Sequence, residues 1–233
     1  KLFHSQDAGL LPLFTPIYGG SGQALLNSQQ KRHHTVERND TESFYFRDGL
    51  NPTVNHVEGI FRQSYQVKNA RLVQSGMAAI NVAIFSALKP GCRLFVSSDT
   101  FVDTQLLALE HFRRWGITSQ IFDLTEDGLL PAEIELREND IVVVESVSNP
   151  LCKVADVISL QETAKEKNAV VIIDNTIPSS EMFPIKPNEH CLVVESLTKY
   201  HLMNTSWAGL VLTSESFQHQ VHEIIKLFGF ALT

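Results

Sequence analysis

The sequence predicts a doubly wound α/β domain with a mostly parallel sheet, and three observations predict it. Short apolar runs of strand length alternate with helix-spaced segments from about Ala70 onward. One run, residues 170–173, is apolar and β-branched throughout, as expected for a strand covered on both faces. At 233 residues with 43% hydrophobic residues, the chain has the apolar content for one large core.

Taken in order, residues 1–60 are rich in Gln, Asn, His, Gly and Arg without a sustained period. They are expected to form an N-terminal arm ahead of a large domain over residues 61–233. In the arm, Tyr45 and Arg47 stand beside the turn signal Asn51-Pro52-Thr53. Thr53 is expected to cap a short helix from about Val54, with Glu58 in its early turns. Ser75-Gly76 precedes a helix over 77–88 that stops at Lys89-Pro90-Gly91. Residues 93–97 read as a strand. Residues 101–115 read as an amphipathic helix with Leu106, Leu107, Leu109 and Phe112 on its apolar face, closed by Gly116 before a strand at 118–122. Further strands are expected at 141–144, 170–173, 191–194 and 210–212, and helices at 160–167 and 215–228.

Composition narrows the function. A formal charge of −7, with Lys31-Arg32-His33-His34 as a short local basic cluster, gives no footprint for nucleic acid. Cys92, Cys152 and Cys191 are odd in number and without metal-ligand spacing, which suits a reducing compartment and buried thiols. His219 and His222 share the last helix, but no Cys or carboxylate at suitable spacing joins them, so exposed histidines are expected and no metal site. The sequence supports neither a membrane span nor a signal peptide, and predicts a cytoplasmic location. No Walker-type loop or G-x-S-x-G elbow is present.

The chemistry-bearing residues fall just after the strands, at the edge where open α/β sheets bind ligands. Lys199, following the run that starts at Val193, is the candidate reactive amine: a partly desolvated lysine there can form a Schiff base with a carbonyl cofactor. The alternative is a surface lysine with its stem along the sheet edge. Asp174 leaves a buried strand, where a carboxylate needs a partner or a cation, or else serves as a turn or cap residue beside Asn175 and Thr176. Ser75-Gly76-Met77 is equally an ordinary N-cap or a set of N–H groups for a phosphate. Glu145, Ser148 and Asn149 follow the third strand, where Asn149-Pro150 also suits a plain turn.

Ser75 to Ile80, Glu145 to Pro150, Asp174-Asn175-Thr176 and Ser196 to Tyr200 together stand in the order and rough spacing of the Cys/Met-metabolism pyridoxal-phosphate enzymes. That family includes cystathionine γ-synthase, cystathionine γ-lyase and methionine γ-lyase, and Tyr45-x-Arg47 with Asn51-Pro52-Thr53 resembles its N-terminal signature. The resemblance implies a fold-type-I, aminotransferase-like large domain that binds pyridoxal 5'-phosphate. It further implies that Lys199 is the Schiff-base lysine and proton carrier, and that Asp174 pairs with the pyridinium nitrogen. Gly76 and Met77 N–H groups with the Ser196 and Thr198 hydroxyls would hold the phosphate, with Ser75 and Thr176 lining the same site. Tyr45 and Arg47 would reach the phosphate of a neighbouring subunit, and Asn149 the cofactor's phenolic oxygen side. The implied partners are an amino-acid substrate and further copies of the chain, as a homodimer or homotetramer.

Three departures from the family pattern stand out. Phe101 occupies the place of a tyrosine expected to stack on the cofactor ring, preserving stacking and losing the phenol; alternatively Phe101 packs in the core of its helix. His201 to Trp207 replace a loop that usually carries glycine and histidine, so this loop is expected to be shaped differently. The small C-terminal domain, and the arginine it supplies for the substrate carboxylate, are expected to be absent. The resulting expectation is a pyridoxal-phosphate-dependent lyase or γ-replacement transferase acting on a sulfur-containing or homoserine-derived amino acid. The alternative is a catalytically silent scaffold or partner subunit that keeps the fold, with or without the cofactor, and has no turnover.

Overall fold

Among the described residues seven runs become strands, most of them rich in Val, Leu and Ile: β1 Asn69–Val73, β2 Arg93–Ser97, β3 Thr118–Phe122, β4 Ile141–Glu145, β5 Val170–Asp174, β6 Cys191–Ser196 and β7 Gly209–Thr213. They form one sheet in the order β1-β7-β6-β5-β4-β2-β3, in which β7 alone runs antiparallel to its neighbours. The computed structural model describes residues 17–20 and 51–232. Two compact units divide the chain, residues 1–57 with 233, and residues 58–232.

In the first unit, Asn51 supplies the cap expected of Thr53. Asn51 Oδ1 accepts the N–H of Thr53 at 2.9 Å and of Val54 at 3.3 Å, opening helix α1, Pro52–Tyr65. Thr53 Oγ1 instead accepts the Tyr18 N–H at 2.9 Å. Pro52 at the first helical position forfeits only an N–H that has no helical partner anyway.

In the second unit the sheet is covered on both faces. Helices α2 (Gly76–Ala87) and α6 (Glu215–Phe228) lie on one face, where Ile80, Ile84, Val143, Ile172, Leu192, Val194, Val211, Val221 and Ile225 share one buried core. Helix α4, Val157–Glu166, buries Leu160 and Ala164 and packs on β5. β5 is therefore buried along Val171, Ile172 and Ile173, as its unbroken apolar run predicts.

Two elements depart from the sequence reading. Asn69–Val73 is a full strand, β1, held by β7. The segment after Phe101 is a short α-helix, α3 (Val102–Leu106), continued by a π-helical stretch, Leu107–Phe112. The wider turn resets the helix face, so Ala108 and Phe112 point into the core while Leu106 is 47% exposed. Glu58, placed by the sequence in the early turns of its helix, is buried: it accepts the Leu72 N–H at 2.9 Å on the side of β1 away from β7 and pairs by charge with Arg71 at 3.2 Å. His222 is also buried, against Arg71, whereas His219 is exposed beside Glu223. Cys92 and Cys191 are buried thiols, but Cys152 is exposed.

Candidate active site

Three neighbouring parallel strands, β4, β5 and β6, end in polar pairs: Glu145-Ser146, Asp174-Asn175 and Glu195-Ser196. Side chains alternate across a strand, so one member of each pair faces α2 and the other faces away. Glu145, Asp174 and Ser196 fall on the α2 side, since Val143, Ile172 and Val194 two residues earlier belong to its core. Glu145 and Asp174 stand directly opposite one another in the β4–β5 register.

The chain entering α2 closes over this edge. Ser75 caps the helix, its Oγ accepting the Ala78 N–H at 3.0 Å. A Cβ on Gly76 would lie 2.7 Å from Ser196 Cβ, and one on Gly209 would lie 2.1 Å from the Ser75 carbonyl oxygen. Glycine at both positions lets the helix start sit against the ends of β6 and β7. The Gly76 and Met77 N–H groups and the Ser196 hydroxyl make no hydrogen bond among the described residues, and they cluster at the positive end of a twelve-residue helix. Met77 itself is tied back by Thr104 Oγ1, 3.8 Å from its Sδ.

Asp174 Oδ1 accepts from Thr176 N at 3.0 Å and Thr176 Oγ1 at 2.5 Å. Thr176 Oγ1 in turn accepts the Ser196 N–H at 2.8 Å, so one hydroxyl links the ends of β5 and β6. The Asp174 carboxyl is enclosed although the residue keeps some exposed surface, and burial pushes its pKa up while the two Thr176 bonds pull it back. Enclosed and, among the described residues, without a cationic partner, the group sits where a cation would restore its charge.

Lys199 lies three residues past β6 on an exposed turn. Bonds from Leu202 N to Leu197 O (3.0 Å) and from Asn204 N to Thr198 O (2.8 Å) fold that turn, with Met203 and Asn204 in left-handed conformations. Its Nζ has no ion pair or hydrogen bond among the described residues. The expected desolvation is not met, because the turn lifts the residue past the sheet. Thr198 Oγ1 is committed loosely to Ala208, 3.5 Å from its O and 3.4 Å from its N. Asn149 is exposed beyond β4. Phe101 is 53% exposed, which removes the core-packing alternative. Tyr45 and Arg47 lie outside the described residues.

Two carboxylates had no assigned role in the sequence. Glu145 Oε1 accepts the Phe101 N–H at 2.7 Å, and burial, reinforced by Asp174, pushes its pKa up to about 7. Glu195, 1% exposed, accepts Ser180 N–H at 2.9 Å on the opposite face, and burial pushes it up to about 7 as well. The signal was present: each closes an apolar run as Asp174 does.

The family model for Cys/Met metabolism PLP-dependent enzymes, where PLP is pyridoxal 5'-phosphate, matches residues 5–233. The chain belongs to this family. Among curated relatives, methionine gamma-lyase of Arabidopsis thaliana is 30% identical over 206 residues, 87% of this chain and 46% of its own. A cystathionine gamma-synthase/O-acetylhomoserine (thiol)-lyase of Bacillus subtilis is 32% identical over 81% of this chain and 52% of its own. The chain thus spans about half the length of these curated relatives. In fold it is similar to metB from Corynebacterium glutamicum, with TM-score 0.77 and 24% identity, covering 94% of this chain and 55% of that one. A putative O-acetylhomoserine (thiol)-lyase from Campylobacter jejuni, whose structure carries pyridoxyl-lysine phosphate, aligns with TM-score 0.74 and 24% identity over 88% of this chain and 50% of that one. Both share the mostly parallel α/β sheet described above.

Proposed function

We propose that this chain forms the cofactor-binding part of a PLP-dependent lyase or γ-replacement transferase acting on a sulfur-containing or homoserine-derived amino acid, with the cofactor held by Lys199. One observation carries the reading: at or just past one sheet edge lie a lysine without an ionic partner, an enclosed carboxylate without a cation and a helix start with unengaged N–H groups, each so among the described residues. Each suits a different part of the cofactor: carbonyl, ring nitrogen and phosphate. When bound, PLP supplies an electron-accepting ring that stabilises negative charge on the carbon next to the amino group.

The chain's own residues then divide the work. Asp174, fixed by Thr176, holds a proton on the ring nitrogen by charge. The Gly76 and Met77 N–H groups and Ser196 Oγ, together with the Thr198 hydroxyl, bind phosphate at the positive helix end. Ser75 and Thr176 hold that frame. The Lys199 amine moves the substrate's α-proton. Phe101 offers a ring face for stacking, and Asn149 lies toward the phenolic oxygen side. The arm over residues 1–60, through Tyr45 and Arg47, serves the site of a second copy in a homodimer or homotetramer, and the protein works in the cytoplasm. Among the described residues no helix is long and apolar enough to cross a membrane.

The test is reduction with borohydride after incubation with PLP, followed by peptide mapping. Label on Lys199 with visible absorbance before reduction is expected; label elsewhere, or none with cofactor in excess, overturns the reading. A second reading, a silent cofactor-binding partner subunit, is favoured by Phe101, whose ring has no O–H to give. Assays with homoserine esters, cystathionine, methionine and cysteine separate the two, because the silent subunit would take the label and turn over none of them.

A further inference from the structure

The face of the sheet turned away from the cofactor site carries a second polar system, and it leads to the same lysine. Ser146 Oγ donates to Asn175 Oδ1 at 2.7 Å, and Asn175 Nδ2 meets Ser180 Oγ at 3.4 Å. Ser180, in the short helix α5 (Ser179–Met182), donates both its N–H, at 2.9 Å, and its hydroxyl to Glu195 Oε1. The other Glu195 oxygen stands 3.5 Å from the Tyr65 hydroxyl, which stands 3.2 Å from His201 Nε2. Phe61 packs on both partners, its ring centroid 5.4 Å from that of Tyr65 and 5.3 Å, edge-on, from that of His201.

Glu195 precedes Lys199 by four residues and His201 follows it by two. Tyr65 therefore brackets the turn that carries the amine, from the end of the strand below to the residue just past the lysine. A tyrosine hydroxyl has one proton to donate and can accept others. With Glu195 held by Ser180, the Tyr65 oxygen is fixed, and His201 has a fixed partner to meet.

We propose that Tyr65 and His201 are positioning residues for Lys199, acting as a hydrogen-bonded strut that runs from Glu195 beneath the turn and limits the freedom of the lysine. This inference rests on the reading of Lys199 as the cofactor lysine for its purpose, though not for its measurement. The charged and titratable groups facing the strut are Glu195 from β6, Glu181 from α5 and, through the sheet, Asp174 from β5. Burial lowers the His201 pKa and Glu181 partly restores it, while burial and Glu195 raise that of Tyr65. The neutral Tyr65–His201 hydrogen bond is therefore favoured around neutral pH.

The experiment measures acylation of each lysine in the cofactor-free chain by mass spectrometry, with exposed Lys89 and Lys167 as internal references. Tyr65→Phe and His201→Leu are each expected to raise the Lys199 rate at least threefold against the references. The double variant should add nothing to either, since both cut one strut. His201→Gln, whose amide still reaches Tyr65, should return the rate toward wild type, and a merely steric role for His201 would not produce that rescue. Because His201 lies at the surface and is only partly buried, its substitutions test the strut even where Tyr65→Phe fails to fold. Lys199 rates equal to wild type in His201→Leu, or equal in His201→Leu and His201→Gln, overturn the proposal. Repeating the measurement with PLP present asks a separate question: absence of protection at Lys199 defeats the cofactor reading while leaving the strut to stand on the cofactor-free rates.

Discussion

Glu145 reaches across from the end of β4 to accept the Phe101 backbone N–H at 2.7 Å, so the residue proposed to stack on the cofactor is held through its main chain by a carboxylate on the sheet. The ring contributes little to the fold, since it is 53% exposed. Phe101→Ala should therefore leave the melting temperature nearly unchanged and weaken cofactor retention severalfold, measured by equilibrium dialysis. Unchanged retention would remove stacking from the role of Phe101.

Asp174 and its fold are expected to respond in opposite senses to one substitution. Asn at position 174 keeps an oxygen for the two Thr176 bonds and relieves the buried charge, so thermal stability should hold or rise. Affinity for a cationic ring nitrogen should fall by one to two orders of magnitude, as loss of a charge-assisted bond implies, about 1.5–3 kcal/mol. Equal cofactor affinity in Asp174→Asn would assign Asp174 to structure alone.

Thr176→Val removes the one hydroxyl shared by Asp174 and Ser196. The Ser196 N–H loses its partner and Asp174 keeps only the Thr176 N–H of its two bonds, at a cost of about 1–3 kcal/mol. Urea unfolding should show a lower midpoint with an unchanged slope; a midpoint equal to wild type would mean that water replaces the hydroxyl.

Gly76→Ala places a methyl 2.7 Å from Ser196 Cβ. The start of α2 must shift away from β6, and overpacking of this kind costs about 1–3 kcal/mol. Cofactor release should accelerate in parallel, because the shifted N–H groups are those proposed for the phosphate. A variant with wild-type stability and retention would show that this helix end has slack.

Stability should fall as pH rises from about 4.5 toward 7. Glu195 has its folded pKa near 7 and an ordinary value of 4.5, so between these the folded chain holds a proton that the unfolded chain releases. Linkage then makes the folded state lose stability with rising pH until the group is ionised in both states. Asp156, with its pKa lowered by Ser159, acts the other way, its contribution disappearing as pH falls through its depressed pKa. Denaturation midpoints across pH 5–8 should flatten in Glu195→Gln. A slope unchanged by that substitution would place the titration on another group, such as Glu145.

The sequence by itself determined the doubly wound sheet, because Val171–Ile173 and its neighbouring runs are too apolar to face water and too short to form separate helices. It also placed Ser75 at a helix start, and Asp174, Ser196 and Lys199 at or just after apolar runs of strand length, since each stands where such a run begins or stops. Tertiary structure alone decided what depends on packing across long sequence separations. The buried tie of Glu58 to Leu72 exists only because α1 lies along β1, and the π-helical stretch turned Leu106 outward to seat Ala108 and Phe112. The same holds for Glu195: its carboxylate reads in sequence as one more polar residue after a strand. Only the meeting of β6, α1 and α5 brings Tyr65, 130 residues away, and Ser180 to it. Local spacing specifies a strand and its end, whereas the partner of a buried charge is chosen by which distant element the fold lays beside it.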